Sequence, residues 1–165
     1  MRIYLPATIR LLRTLLDEGE LGPAPLTAFA VTPALREWYV SGDAEELGYA
    51  ALTGAARASL RLLDADPLVA RRRVVVVADV ADSAITVRSD LERAAVRIGE
   101  AVTFKQVAAV YVDEPGAEEA VRAAAGAVLE ADLGSADAQF IVDGAEGWEL
   151  GWYATQEIGA LVELL

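Results

Sequence analysis

The 165-residue chain contains no cysteine and no histidine. Without cysteine it has no disulfide, no thiolate nucleophile and no thiolate metal ligand. Without histidine it lacks the side chain that most often serves as a general base or a zinc ligand. Serine–histidine catalysis and the usual zinc, copper and haem sites are therefore excluded. The sequence also has no G-x-S-x-G elbow, no GK[ST] Walker loop and no G-x-G-x-x-G fingerprint, which mark many hydrolases and nucleotide-binding folds.

Positive charge is also scarce. The chain has 14 basic residues against 26 acidic ones and a net charge of -12, so a nucleic acid would be repelled. We expect no nucleic-acid partner. Residues 71–73, all arginine, precede an apolar run. We interpret this cluster as a solvated strand entrance, with an anion-binding patch as the alternative.

Long apolar runs are missing too. Residues 74–78 and 107–112 are apolar, but both runs fall far short of the roughly 20 residues that a membrane-spanning helix needs. Arg10 and Arg13 interrupt the apolar residues near the N-terminus, whereas a signal peptide needs an unbroken apolar centre. We therefore expect a cytoplasmic protein that makes no contact with membranes.

The chain does have enough apolar residues for one core. Its hydrophobic fraction is 55%, so residues 1–165 are expected to form a single domain. Strand-like and helix-like segments alternate, which favours an α/β (or α+β) fold with a mixed sheet of about five to six strands and four helices packed on it. The predicted strands are residues 2–5, 28–31, 73–80, 107–112 and 138–142, with a hairpin around Gly99. The capping residues Thr8, Thr32 and Asp43 predict three helix starts: the helix after Thr32 is short and runs through Trp38 and Tyr39, and the helix from residue 43 reaches about residue 63. Two further helices are predicted over 115–130 and 150–165.

Carboxylates are the only versatile reactive groups left, and three predicted strands end in one: Asp79, Asp113 and Asp143. If those strands are parallel neighbours, the acids converge at one edge of the sheet and form an oxygen site suited to Mg²⁺. The competing interpretation is structural, because aspartate commonly caps turns and helices at strand ends. The structural interpretation is favoured, since no lysine or arginine lies in a recognisable phosphate-clamping position.

Glu157 lies between Tyr153 and Leu161 on the apolar stripe of the predicted last helix. A buried and unpaired acid at this position would indicate a functional residue. The favoured alternative is an arginine partner or a place at the solvent edge of the stripe.

The aromatic pairs Trp38–Tyr39 and Trp152–Tyr153 either fill the core or form a contact surface. We favour the core. An exposed cluster would instead indicate a homodimer or partner interface, where tryptophan and tyrosine are enriched. Each pair follows a predicted strand, so the two occurrences also suggest an internal pseudo-duplication, with coincidence as the alternative.

Three segments carry a resemblance to a known family: Arg2–Ala7 at the start, residues 107–114 in the middle and residues 152–157 near the end. On these segments the chain resembles a family of uncharacterised proteins from high-GC Gram-positive bacteria. The resemblance covers nearly the whole chain. It implies a single cytoplasmic domain of unknown function and brings no catalytic residue with it.

The leading hypothesis is a non-catalytic, homodimeric module without a cofactor. It would bind a partner protein or a small ligand through an aromatic or small-residue surface. The small-residue surface belongs to the helix at 43–63 and comprises Ala50, Ala51, Gly54, Ala55 and Ala58. The alternative is a Mg²⁺-dependent enzyme that acts on a phosphorylated or nucleotide substrate through Asp79, Asp113 and Asp143.

Overall fold

The computed structural model describes residues 1–39 and 41–165. Within these residues, strands and helices alternate along the chain. The strands are β1 (Arg2–Ala7), β2 (Glu20–Leu21), β3 (Leu26–Phe29), β4 (Val74–Asp79), β5 (Ile85–Val87), β6 (Ala95–Ile98), β7 (Val102–Thr103), β8 (Val107–Asp113) and β9 (Leu150–Ala154). The α-helices are α1 (Ile9–Glu18), α2 (Pro33–Trp38), α3 (Ala44–Ala65), α4 (Glu118–Asp132), α5 (Ala136–Glu146) and α6 (Ile158–Glu163).

In the described part of the chain, seven strands form one sheet in the order β5-β6-β3-β1-β4-β8-β9, and β2 pairs separately with β7. We call the seven-stranded unit the large sheet. All of its pairings are antiparallel. The mixed α/β composition is confirmed, but the predicted mixed sheet is wrong in strand direction and too small in its strand and helix counts. The valine run of β4 is buried because β4 lies in the middle of the sheet, which says nothing about the direction of its neighbours.

The two faces of the large sheet pack against different helices. Side chains alternate between the faces along each strand. Ile3 and Val76 belong to a buried cluster with residues of α1, α4 and α6. Tyr4 and Val75 belong to a second cluster with residues of α3. Among the strands, helix α3 packs mainly on β1, β3 and β4. The part of this second face formed by β8 and β9 extends beyond α3 and includes the exposed Trp152. We call this second face the α3 face.

The helix starts predicted from capping residues are confirmed. Thr8, Thr32 and Asp43 each accept a hydrogen bond through the side chain from a backbone N–H three residues further on. Such bonds satisfy donors that the first helical turn leaves free. Gly19 ends α1 with a left-handed φ of 78°, a conformation that glycine adopts without steric cost.

The C-terminal third departs most from the sequence prediction. Residues 138–142, predicted as a strand, lie inside α5, and residues 150–154, predicted as helix, form β9. A short apolar run is compatible with both structures, so tertiary pairing decides: α5 packs on α4 and β9 pairs with β8. The hairpin around Gly99 is also wrong, because β6 pairs with β3 and β5 whereas β7 pairs with β2.

The two Trp–Tyr pairs occupy different kinds of element. Trp38 is the last residue of α2, whereas Trp152 and Tyr153 lie within β9. This difference does not support an internal pseudo-duplication. Among the described helices, none combines the length and apolarity required to cross a membrane.

Candidate functional site

The three aspartates of the predicted Mg²⁺ site do not converge. Since β4 and β8 are antiparallel, Asp79 ends one strand and Asp113 ends the other at opposite ends of the pair, roughly 20 Å apart for six residues of strand. Asp143 lies in α5, where its carboxylate accepts a hydrogen bond from Gln139 Nε2 at 2.7 Å. The predicted site needed parallel neighbouring strands and is wrong for that reason. No group of three or more acidic residues in the described chain is arranged to hold a metal ion.

Asp113 instead forms a buried ion pair with Arg73. Arg73 Nε and one terminal nitrogen each donate to a different carboxylate oxygen of Asp113 at 2.8 Å. The exposed fractions of the two side chains are only 2% and 0%. Arg73 also donates to the carbonyl oxygen of Trp148 at 2.9 Å, which anchors the segment between α5 and β9. Because every charged oxygen has a donor, this pair has a structural role.

Arg71, the first member of the arginine cluster, is buried as well. Its guanidinium donates to the carbonyl oxygens of Leu63 at 2.8 Å and Val69 at 3.1 Å. Leu63 belongs to the last turn of α3, whose carbonyl groups lack partners within the helix. The predicted solvated strand entrance is therefore wrong for Arg71 and Arg73, which hold the chain where it leaves α3 and enters β4.

Glu157 is exposed, which fits the favoured interpretation of a solvent-edge position and not that of a buried, unpaired acid. Its carboxylate accepts the backbone N–H of Ala154 at 2.8 Å. Glu157 thereby stabilises the turn that joins β9 to α6, a role that needs no reactivity.

The aromatic residues are largely outside the core, contrary to the favoured core interpretation. Trp38 is 61% exposed and lies 3.5 Å from the Arg93 guanidinium in a cation–π stack. Trp152 is 58% exposed on β9. Tyr39 is exposed at the end of α2. Tyr153 is partly buried on the opposite face of the large sheet and donates its hydroxyl to Glu114 at 3.1 Å.

A groove lies between α3 and the uncovered part of the α3 face. Two clefts of about 280 Å³ and about 240 Å³ share Tyr49 and Leu52 of α3 as their common wall. Tyr111 on β8 lines the first cleft, and Trp152 is its direct cross-strand neighbour. We define the aromatic groove as Tyr4, Tyr49, Leu52, Tyr111, Trp148, Leu150 and Trp152.

Only Trp152 of these groove residues was predicted as an interaction residue; Tyr39 shares a neighbouring cleft with Tyr49. Tyr4 and Tyr111 were missed, because the alternation of a strand gives its two faces but not which of them a helix leaves uncovered. Tyr49 on α3 was missed as well. The presence of Tyr49 as the single aromatic residue of α3 was the one available signal.

Small residues allow α3 to lie close to the sheet, so Ala51 and Ala55 of the predicted small-residue surface are buried within the protein. A Cβ at Gly54 would come within 2.9 Å of the Phe29 ring, and a Cβ at Gly48 would come within 3.2 Å of the Tyr4 hydroxyl. Larger side chains would push the helix away from the strands. This close approach sets the width of the groove and places Tyr49 beside Tyr111.

The groove is aromatic with an acidic rim. Glu45 lines one cleft, and Glu146 and Glu149 line the other. Nearby basic side chains are engaged elsewhere: Arg2 pairs with Asp79. Burial and, to a lesser extent, the neighbouring Tyr111 raise the pKa of Tyr4 above its ordinary value of 10.0. The hydroxyl is therefore protonated at neutral pH, where it is a hydrogen-bond donor and not a base.

A separate cleft of about 570 Å³ lies elsewhere along α3, where Ala58, Arg61 and Leu62 line it. Its lining is mostly apolar and includes Phe29 and Leu91, with the Arg61 guanidinium among the few polar groups. Arg61 already pairs with Asp132 at 2.7 Å and lies 3.6 Å from Glu92. This apolar cleft has the size and character of many small-molecule sites.

These features define a mixed α/β protein with an antiparallel sheet and an exposed aromatic groove. The sequence profile of a family of unknown function, DUF6912, matches residues 1–162. The chain belongs to this family, which confirms the resemblance to an uncharacterised family. No curated protein and no solved structure matches the chain.

Proposed function

We propose that the protein is a non-catalytic interaction module that binds a partner through the aromatic groove. The observation that carries this proposal is the exposure of Trp152, Tyr49 and Trp148 around one groove next to an uncovered sheet face. Tryptophan and tyrosine are enriched at the energetic centres of protein interfaces. A cytoplasmic location, as expected from the sequence, is part of this proposal.

The state of the acidic residues supports a non-catalytic role. Asp79 and Asp113 are each held by an arginine in a two-bond ion pair. Glu157 is held by a backbone N–H. General acid–base catalysis needs a carboxyl group free to exchange a proton with a substrate, and these carboxylates serve local structure instead.

The proposal can be tested by selecting a displayed random-peptide library on the whole protein. Selected peptides are expected to lose at least tenfold in affinity for Tyr49→Ser and for Trp152→Ser, because both side chains lose their apolar contact area. Phe140→Ser is the matched control: Phe140 is also exposed, but it lies on α5 and is not part of the aromatic groove. Melting temperatures close to that of the wild type would show that the variants are folded.

Peptides that bind the two groove variants as tightly as the wild type would contradict the proposal. A selection that yields no binder would contradict it as well. The Mg²⁺-dependent alternative is tested separately by thermal shift with Mg²⁺, Mn²⁺ and a nucleotide panel, since a ligand specific to the folded state raises its stability. We expect no shift.

The apolar cleft supports a second candidate function, the binding of a small apolar ligand beside α3. Ala58 and Ala95 line this cleft, so Ala58→Leu would fill part of it. The neutral dye N-phenyl-1-naphthylamine should gain fluorescence with the wild type and much less with Ala58→Leu. Equal fluorescence with both proteins would eliminate this site.

A further inference from the structure

We infer that the partner is a positively charged, extended polypeptide segment that adds to the large sheet as a new strand beside β9. This inference rests on the proposed function and specifies the chemistry of the partner. Strand addition to an exposed sheet edge is a common mode of peptide recognition, in which backbone hydrogen bonds supply affinity and alternate side chains supply specificity.

The backbone of β9 is oriented for such an addition. Asp113 donates its N–H to the carbonyl oxygen of Arg73, so the backbone groups of Asp113 point towards β4. Asp113 is the register partner of Leu150. In an antiparallel pair the backbone groups of successive residues point alternately towards and away from the neighbouring strand. The N–H and C=O groups of Leu150 and Trp152 therefore point away from β8, to the outer edge.

The two edges of the large sheet differ in their protection. At one edge, β5 has only three residues, Ile85–Val87, and short edge strands resist pairing with other chains. At the other edge, β9 has five residues with the sequence Leu-Gly-Trp-Tyr-Ala. It contains neither the proline nor the charged side chains that commonly block edge pairing. The β9 edge is therefore the receptive one.

The charges around β9 select a basic segment. Glu149 directly precedes the strand, and Glu157 follows it shortly after. Glu114 lies against Tyr153 in the middle of the strand. A basic residue, Arg72, is also close enough to Tyr153 for its charge to lower the pKa of that hydroxyl, but these glutamates outnumber it. A second copy of this chain would bring the same acids and a net charge of -12 to the edge, so like-charge repulsion disfavours a homodimer here.

The aromatic groove supplies the side-chain specificity. Alternate residues of an added strand would project onto the α3 face beside Trp152 and Leu150, as cross-strand neighbours do. Apolar side chains fit these positions. The intervening residues would face Glu114 and Glu157, where lysine or arginine fits.

The test uses the full chain and three synthetic nine-residue probes. The first alternates lysine and valine, the second alternates glutamate and valine, and the third is the lysine peptide with alternate backbone nitrogens methylated. We expect the lysine peptide to bind at least tenfold more tightly than the other two. Its affinity should fall with added salt, and the amide signals of Leu150 and Trp152 should shift in NMR spectra.

Substitutions in the full chain test whether the lysine peptide binds at the β9 edge. Trp152→Ser and Leu150→Pro should each weaken the lysine peptide at least tenfold, the first by removing side-chain contact and the second by removing an outward N–H. Proline is tolerated at the first residue of an edge strand. Phe140→Ser should bind as the wild type does, and Glu149→Gln should weaken binding by severalfold.

Three outcomes would overturn the inference: equal binding of the glutamate peptide, equal binding of the methylated peptide, or light scattering that shows a dimer with its β9 amides protected. In the first two cases, the proposed function would still hold if peptides selected on the wild-type protein bind Tyr49→Ser more weakly than the wild type. If those peptides bind Tyr49→Ser as tightly as the wild type, the proposed function fails as well. The two failures are therefore distinguishable.

Discussion

Two arginine–aspartate pairs lie at opposite ends of β4 and differ almost only in their surroundings. Arg2 binds Asp79 through two hydrogen bonds of 3.1 Å, and Arg73 binds Asp113 through two of 2.8 Å. The side chains of the first pair are 55% and 58% exposed, whereas those of the second are 2% and 0% exposed. The same chemical contact therefore has a solvated form at one end of β4 and a buried form at the other.

The comparison shows that burial decides what such a pair contributes. Exposed pairs typically contribute about 0.2 to 1 kcal/mol, because water already solvates both charges. Breaking a buried pair typically costs about 3 to 5 kcal/mol, because the remaining charge is left without a partner in a medium that solvates it poorly. Removing one member of the buried pair is therefore expected to cost more stability than removing one member of the exposed pair.

The largest effect is expected for Arg73→Met. This change leaves the Asp113 carboxylate buried without its main partner and removes the hydrogen bond to the Trp148 carbonyl. We expect the free energy of unfolding to fall by about 3 to 5 kcal/mol, measured by urea denaturation. A loss below about 1 kcal/mol would show that the buried pair is no more important than an exposed one.

The double variant Arg73→Met with Asp113→Leu sharpens the comparison. Removing both charges eliminates the unpaired buried carboxylate, and apolar replacements of a buried pair are often close to neutral. We expect the double variant to recover about 2 kcal/mol or more of the loss seen in the single variant. A double variant no more stable than the single one would mean that packing, not charge, dominates at this site.

An intermediate effect is expected at Asp132, which joins the end of α4 to α3. Its carboxylate accepts hydrogen bonds from Arg61 at 2.7 and 2.9 Å and from Arg57 at 3.2 Å. It is 27% exposed, between the two pairs compared above. We expect Asp132→Asn to lower the free energy of unfolding by about 1 kcal/mol.

This contribution should depend on pH in a defined direction. The hydrogen bond from Arg61 is the main cause that lowers the pKa of Asp132 below its ordinary value of 3.8. A group whose pKa is lowered by folding stabilises the protein above its unfolded pKa, and this stabilisation is lost as the pH falls through the folded pKa. The stability difference between wild type and Asp132→Asn should therefore be constant from pH 7 to 5 and shrink below pH 3.8. A difference that grows in acid would contradict this assignment.

The smallest effect is expected for Arg2→Ala, which breaks the exposed pair. The Arg2 hydrogen bond is the main cause that lowers the pKa of Asp79, but solvent screens the pair. We expect a loss below about 1 kcal/mol at low salt that largely disappears in 1 M salt. An effect comparable to that of Arg73→Met would remove the distinction between the two pairs.

Local signals in the sequence predicted much of the first two thirds of the fold. The caps at Thr8, Thr32 and Asp43 located three helix starts, and the valine run located β4. Interactions between distant residues decided the remainder. Whether residues 138–142 and 150–154 form strand or helix depends on α4 and β8, which lie elsewhere in the sequence. The same limit applies to the site, because the aromatic groove joins Tyr4, Tyr49 and Tyr111 from three separate elements.

The bond from Arg73 to the Trp148 carbonyl connects the interior to the groove. The Trp148 backbone is held by the buried guanidinium, while its ring lines the groove. A ligand that immobilises Trp148 also restrains the segment between α5 and β9, which Arg73 holds next to the start of β4. Amide hydrogen exchange in β4 should therefore slow when the groove is occupied. Such coupling is reciprocal: a substitution that loosens Arg73, which itself borders the groove cleft, should lower affinity in the groove.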